Sequence, residues 1–395
     1  MNTAFEIAKR ISFLNQKNYT RFIVKLSIVA TSISVAAILL TFSIVNGFEY
    51  VISNKIYSFW GHLQIASVNG STLTEDPQFK QQLKSIPNIK NSSAYLNQTM
   101  VLAKEIEIEG LNARGIADFS SIPNLTKGRI IQSKAASISR EIVVSKNIAT
   151  KLHIDLGDQV KLYFFQNGQV QERKLTVVGL FHTGIEEYDL KQVFVDIKLL
   201  QQLIQAPNTI TGYQVYLKDL KEINQTQDKI QSILPANWVS SASSEVYPQL
   251  FDWIKVQTIN RNITIIIMLF IAIVNLITCL LILLLERVPM IGSLTAMGAT
   301  ENMIRKVFMY QASFIAWRGI GYGIMIGIGL SLIQLKFQWI RLDEAAYLID
   351  RLPIRIQVNQ VISVILGTAT VSYLSFLLPT LWIKKITPSK AIRFD

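Results

Sequence analysis

Four apolar runs, separated by stretches of very unequal length, leave this 395-residue chain few architectures. The hydrocarbon core of a bilayer is about 30 Å thick and is crossed by roughly 20 helical residues free of uncompensated charge. Residues 26–46, 262–285, 307–335 and 358–383 satisfy that requirement, and only the third run carries an internal charge, Arg318. Half of the chain is hydrophobic and only 17% is charged, a balance too apolar for a water-soluble protein of this size. The first run is longer than the core of a signal peptide and is followed by a hydrophilic stretch without a cleavage signal, so it reads as a retained anchor.

Orientation follows from lysine and arginine beside the short connections. Lys9, Arg10, Lys17, Arg21 and Lys25 lie in the 1–25 tail, Arg287, Arg305 and Lys306 in the 286–306 connection, and Lys384, Lys385, Lys390 and Arg393 in the 384–395 tail. These three segments are expected in the cytoplasm. Residues 47–261 and the short 336–357 connection are then expected on the far side, although the latter mixes Lys336, Arg341, Arg351 and Arg355 with Asp343, Glu344 and Asp350. In the first tail, Ala4, Ile7, Ala8, Ile11 and Leu14 recur at helical spacing opposite Glu6, Lys9 and Arg10, which suits a helix in the cytoplasmic interface or one packed on protein.

The 47–261 interval alternates in character. Met100 to Gly115 shows strand periodicity through Ile106, Glu107, Ile108 and Glu109. Further strand-like runs are Glu141 to Val144, Gln159 to Phe165, Lys174 to Val178, Val193 to Asp196 and Tyr213 to Leu217, with helical patterns at Lys146 to Leu152 and Ile197 to Ile204. The expected fold is an α-helical integral membrane protein with four transmembrane helices and a large α+β extracytoplasmic domain, of one or two lobes, between the first two.

Several activities are disfavoured by the residues themselves. The net charge of +12 is scattered beside apolar runs and forms no basic domain, so nucleic acid is not an expected partner. Cys279 is the single cysteine, and His62, His153 and His182 have no paired ligand spacing, so no metal site is expected. No Gly-x-x-x-x-Gly-Lys-Ser/Thr sequence is present, so the chain is read as non-catalytic and without a phosphate-cradling loop.

After the second apolar run the chain reads ERVPMIGSLTAMGATENMIRKVFMYQA, Glu286 to Ala312. Ile291, Leu294 and Met297 fall three apart and line one side of a short helix, which Gly298 ends before Thr300 caps the next. Such an apolar knob in the cytoplasm suits a groove on a partner, or lipid headgroups. The segment resembles the coupling segment of ABC permeases of the FtsX and MacB superfamily, with Glu286, Arg287, Met290, Ile291, Gly292, Leu294, Met297, Gly298 and Ala299 as the ATPase-coupling positions. Pro289 departs from that pattern, and is tolerable only in a first helical turn.

Other segments narrow the resemblance. VNGF (Val45 to Phe48), WGHLQI (Trp60 to Ile65) and LTVVGLFHTGIEEYDLKQVFVDI (Leu175 to Ile197) are similar to lipoprotein-releasing permeases of the LolC and LolE type, and PSKAIRFD (Pro388 to Asp395) resembles the superfamily's closing tail. The resemblance implies a bacterial inner-membrane permease that pairs with a second permease, a copy or a paralogue, and with two cytoplasmic ABC ATPase subunits that bind ATP and Mg. The cargo it implies is a lipoprotein taken from the outer leaflet and passed to a periplasmic carrier, the motion being transmitted through the second and third spans. A MacB-type efflux permease and an FtsX-like signalling subunit that activates a cell-wall hydrolase are the alternatives.

Three features inside the apolar runs complete the candidate list. Gly319, Gly323, Gly327 and Ser331 recur every fourth residue and suit close helix packing. Asn275 suits a hydrogen bond to its own or a neighbouring helix, or across a subunit interface. Arg318 suits either an anionic contact or snorkelling. At Trp317-Arg318 the chain departs from the family pattern, so no family role is carried to that site.

Overall fold

The structure, a computed structural model, describes residues 4–8, 18–119, 122, 124–132, 138–166 and 168–380. The chain divides into two compact units. One comprises Met1–Tyr50, Trp253–Arg341 and Arg351–Asp395, and the other Val51–Asp252 and Leu342–Asp350.

The first unit is helical. Among the described residues, four helices are long and apolar enough to cross a membrane: Asn18–Trp60, Pro248–Glu286, Glu301–Phe337 and Val358–Thr380. The first two extend into the range expected to be the α+β domain, because the length of bilayer to be crossed limits the apolar run and not the helix. In the continuation of the first helix Ile52, Ile56 and Phe59 are buried at helical spacing, which supports the extra turns by packing. Val35, Ile38, Leu39, Ile320 and Val364 form a core where the first, third and fourth helices meet. Residues 4–8 are helical, with Ala4 and Ala8 buried against Val307 and the Phe5 ring 5.5 Å from that of Tyr310. This short helix therefore lies against protein, while Lys9, Arg10, Ile11, Leu14 and Lys17, like the 384–395 tail, lie outside the described residues.

The second unit is built on twelve described strands, ten of them in one sheet. They are β1 (Leu63–Ser67), β2 (Leu73–Thr74), β3 (Ile89–Lys104), β4 (Glu107–Ile116), β5 (Leu125–Gly128) and β6 (Glu141–Ser145). Then come β7 (Gln159–Gln166), β8 (Gln169–Phe181), β9 (Gln192–Asp196), β10 (Thr209–Ile210), β11 (Gly212–Leu217) and β12 (Trp238–Ala242). The sheet runs β12-β1-β11-β3-β4-β9-β6-β8-β5, and β7 bonds both β3 and β8. The strands β3, β4, β9, β6, β8 and β7 thereby form a closed circuit, which removes exposed edges within it. The pairs β4–β9 and β6–β8 are parallel, so the sheet is mixed. One apolar cluster, including Leu63, Leu96, Val144, Leu162, Val195 and Tyr213, fills the unit. The strand-like runs read from the sequence lie in β3, β4, β6, β7, β8, β9 and β11, but Met100 to Gly115 is broken into two strands by a turn at Glu105 and Ile106, and Ile106 and Ile108 are exposed instead of half-buried. The short β1, β2, β5, β10 and β12 carry too few residues for a period to emerge.

Candidate functional site

Between the second and third long helices the chain forms a nine-residue helix, Val288–Ala296. Pro289 occupies its first turn, where a missing N–H costs nothing because that donor has no intrahelical acceptor. The C-terminal end is closed by two bonds: Gly298 N–H donates to Thr295 O at 3.0 Å, and Ala299 N–H donates to Leu294 O at 2.9 Å. That pair is a Schellman motif, and it needs the left-handed residue supplied by Gly298 at φ +90°. Two residues later the Thr300 hydroxyl accepts from Met303 N–H at 3.3 Å and opens the third long helix.

The three apolar residues that share a side by spacing separate in their surroundings. Ile291 is only 2% exposed and packs with Leu280, Leu284, Ile304 and Phe308, so it anchors the short helix to its neighbours instead of forming a displayed knob. Met290 and Ala299 are partly buried against the same cluster, and Gly292 is buried. Leu294 is half-buried and Met297 is 75% exposed. Of these three residues, the accessible ones are thus Leu294 and Met297. At the other end Glu286 and Arg287 are half-buried, and Arg287 Nε is enclosed without a hydrogen-bond partner.

The small-residue ladder faces the first long helix. A Cβ placed on Gly319 would stand 2.8 Å from Cβ of Thr31, and one on Gly327 would stand 3.1 Å from Cβ of Leu39. Gly323 makes the tightest approach, beside Val35 and Ser32. Ser331 is buried and returns its hydroxyl to Gly327 O at 2.8 Å, which satisfies its donor within the helix. Asn275 reaches the same part of the first helix, donating to Ser27 O at 3.2 Å and lying 3.5 Å from Thr31 Oγ1. The structure therefore joins Asn275 and the ladder at Thr31. Arg318 is not part of that junction, for it sits on the exposed face of the third helix beside Trp317. An open groove of about 320 Å³ lies between the third and fourth helices, lined by Ser313, Trp317, Ile320, Thr370, Tyr373 and Phe376 among others.

A polar junction joins residues whose connection the sequence does not reveal. Asn46 donates to Gln360 Oε1, and its own Oδ1 accepts from Arg261 at 3.2 Å. These residues come from the first, fourth and second long helices, and Asn46 is buried. Asn46 is the buried member, and the two bonds satisfy both its amide N–H and its carbonyl oxygen. Among the described residues no three or more His, Cys, Asp or Glu gather where they could hold a metal ion.

Residues 26–233 match the family model described as the MacB-like periplasmic core domain, and residues 262–388 match that of the FtsX-like permease C-terminal region. The lipoprotein-releasing system transmembrane protein LolC of Buchnera aphidicola subsp. Schizaphis graminum (strain Sg) is 23% identical over 95% of this chain and 94% of its own length. The corresponding LolE protein of Haemophilus influenzae (strain ATCC 51907 / DSM 11121 / KW20 / Rd) is 23% identical over 99% of each chain. Among solved structures, the periplasmic region of MacB from Actinobacillus actinomycetemcomitans aligns with 50% of this chain and 97% of that chain, at 13% identity and a TM-score of 0.37.

Proposed function

Because the chain belongs to the permease family built from a MacB-like periplasmic core domain and an FtsX-like C-terminal region, with LolC and LolE among its members, we propose that it is the membrane subunit of an ABC-type lipoprotein exporter. The observation that carries this reading is the end-to-end match with LolC and LolE proteins, which extends through both units. In this reading the four long helices cross the bacterial inner membrane, both termini are cytoplasmic, and the sheet unit is periplasmic.

The chain's part is mechanical. Two ATPase subunits bind ATP and Mg and do the hydrolysis, and they engage the Leu294–Met297 end of the short helix in this permease and in a second permease subunit. Burial of Ile291 supports that role, because a partner's push on the short helix would be received by the helices on either side of it. The cargo is a lipoprotein standing in the outer leaflet, released to a soluble periplasmic carrier. Extraction requires an energised machine, since each buried CH₂ contributes about 0.8 kcal/mol to anchoring.

The test is reconstitution of the purified complex in proteoliposomes with labelled lipoprotein and a soluble carrier. ATP-dependent transfer is expected. Absence of transfer above the ATP-free control, with an active ATPase present, overturns the lipoprotein reading.

A further inference from the structure

The turn after β8 gathers an acid–histidine–acid arrangement within the sheet unit. His182 Nδ1 lies 2.8 Å from Asp189 Oδ2, and His182 Nε2 lies 2.9 Å from Glu344 Oε1. Asp189 is fully buried and fixed: it accepts from Thr183 N–H at 3.0 Å, from the Thr183 hydroxyl at 2.6 Å and from Gly184 N–H at 3.1 Å. Glu344 comes from Leu342–Asp350, the stretch between the third and fourth long helices in sequence, which belongs to the sheet unit. The same stretch is held a second time by Lys55, whose ammonium donates to Leu348 O at 2.6 Å and stands 4.0 Å from Glu344 Oε1. Gly184, at φ +74°, leaves the room these groups need, for a Cβ there would stand 2.5 Å from Glu344 Oε1 and 2.6 Å from Lys55 Nζ.

An ionised carboxylate only accepts, whereas a neutral imidazole offers one N–H and one lone pair. A neutral His182 would turn that lone pair toward one of two carboxylates less than 3 Å away. The doubly protonated ring presents a positive N–H to both. The Nδ1 contact lacks hydrogen-bond geometry, so it becomes an ion pair only when the ring is charged. The charged groups facing the ring are Asp189 from its own turn and helix, Glu344 from the docked stretch and, across Glu344, Lys55 from the first long helix, with Asp350 further off around Lys55.

We infer that His182 is a proton-dependent fastener that docks residues Leu342–Asp350 onto the sheet unit, held when its imidazole ring is charged and loosened when the ring is neutral. The inference does not rest on the lipoprotein reading, because it concerns how one segment is attached and not what is transported.

Hydrogen exchange of the full chain in detergent tests it. Tyr347 N–H bonds Asp343 O and Leu348 N–H bonds Glu344 O, so these amides report on the stretch. After correction for base-catalysed intrinsic exchange, their protection is expected to be about tenfold greater near pH 5.5 than near pH 8.5. His182→Gln is expected to abolish that difference. Glu344→Gln, at a partly exposed position, is expected to reduce it. Equal wild-type protection at the two pH values, or a pH difference that persists unchanged in His182→Gln or in Glu344→Gln, overturns the inference.

Discussion

Gly323 approaches Val35 so closely that a Cβ on the glycine would stand 2.6 Å from Cβ of Val35 and 2.7 Å from the carbonyl oxygen of Ser32. The third long helix therefore meets the first backbone to side chain, and contact at this point excludes any larger residue. Gly323→Val is expected to cost about 1–3 kcal/mol by overpacking, read as a lowered midpoint of thermal unfolding in detergent. Gly321→Ala is the control, since a Cβ there meets open space. Equal effects of the two substitutions would dissociate the ladder from the packing.

Ile291 lies within the short helix and Met297 caps its C-terminal end, and they differ in exposure, so their substitutions should fail in different ways. Met297→Asp is expected to leave the unfolding midpoint near wild type while weakening copurification of the ATPase subunits by tenfold or more. Ile291→Asp buries a charge and is expected to lower the midpoint outright. Retained copurification and full ATPase stimulation by Met297→Asp would place the coupling contact elsewhere.

Asn46 supplies both a donor and an acceptor to Gln360 and Arg261. Asn46→Leu removes both at once, and each hydrogen bond lost to a half-buried partner costs about 0.5–1.5 kcal/mol. Asn46→Asp, which keeps an acceptor for Arg261, is expected to lose less, by thermal unfolding of the purified chain. An inverted order would mean that the Gln360 contact dominates.

His62 sits in the sheet unit with Nδ1 accepting from Leu217 N–H at 2.8 Å, so Nε2 carries the ring proton. Burial, with Lys90 nearby, pushes its pKa down to about 4. A histidine depressed in the folded state binds its proton more readily when unfolded, so its contribution to stability is present above about pH 6.5 and is lost as the pH falls toward 4. The unfolding midpoint of the wild type is expected to decline across that window. His62→Asn, which keeps an acceptor for Leu217, is expected to flatten the decline, and an unchanged slope would assign it to other groups.

The sequence made some of these elements legible because their signals are local. Apolar runs long enough for a bilayer, strand-like runs such as Gln159 to Phe165 in β7, and the Gly298–Thr300 punctuation each lie within one window of residues. Ile291 shows where local reasoning ends, since spacing gathers Ile291, Leu294 and Met297 on one side without saying which edge of that side a neighbour covers. The bond from Asn46 to Gln360 spans 314 residues, and that from Arg261 to Asn46 spans 215, so neither partner could be named before the helices were assembled. The extra turns of the first helix had a visible signal in the spacing of Ile52, Ile56 and Phe59, which the bilayer-length criterion truncated.

The two bonds that close the short helix at Gly298 leave only Ala299 before the cap at Thr300. The link has no spare length to uncoil under load. A tug on the Met297 side chain would have little slack to absorb it before reaching the first turn of the third helix, which makes the reversal a stiff elbow and not a tether.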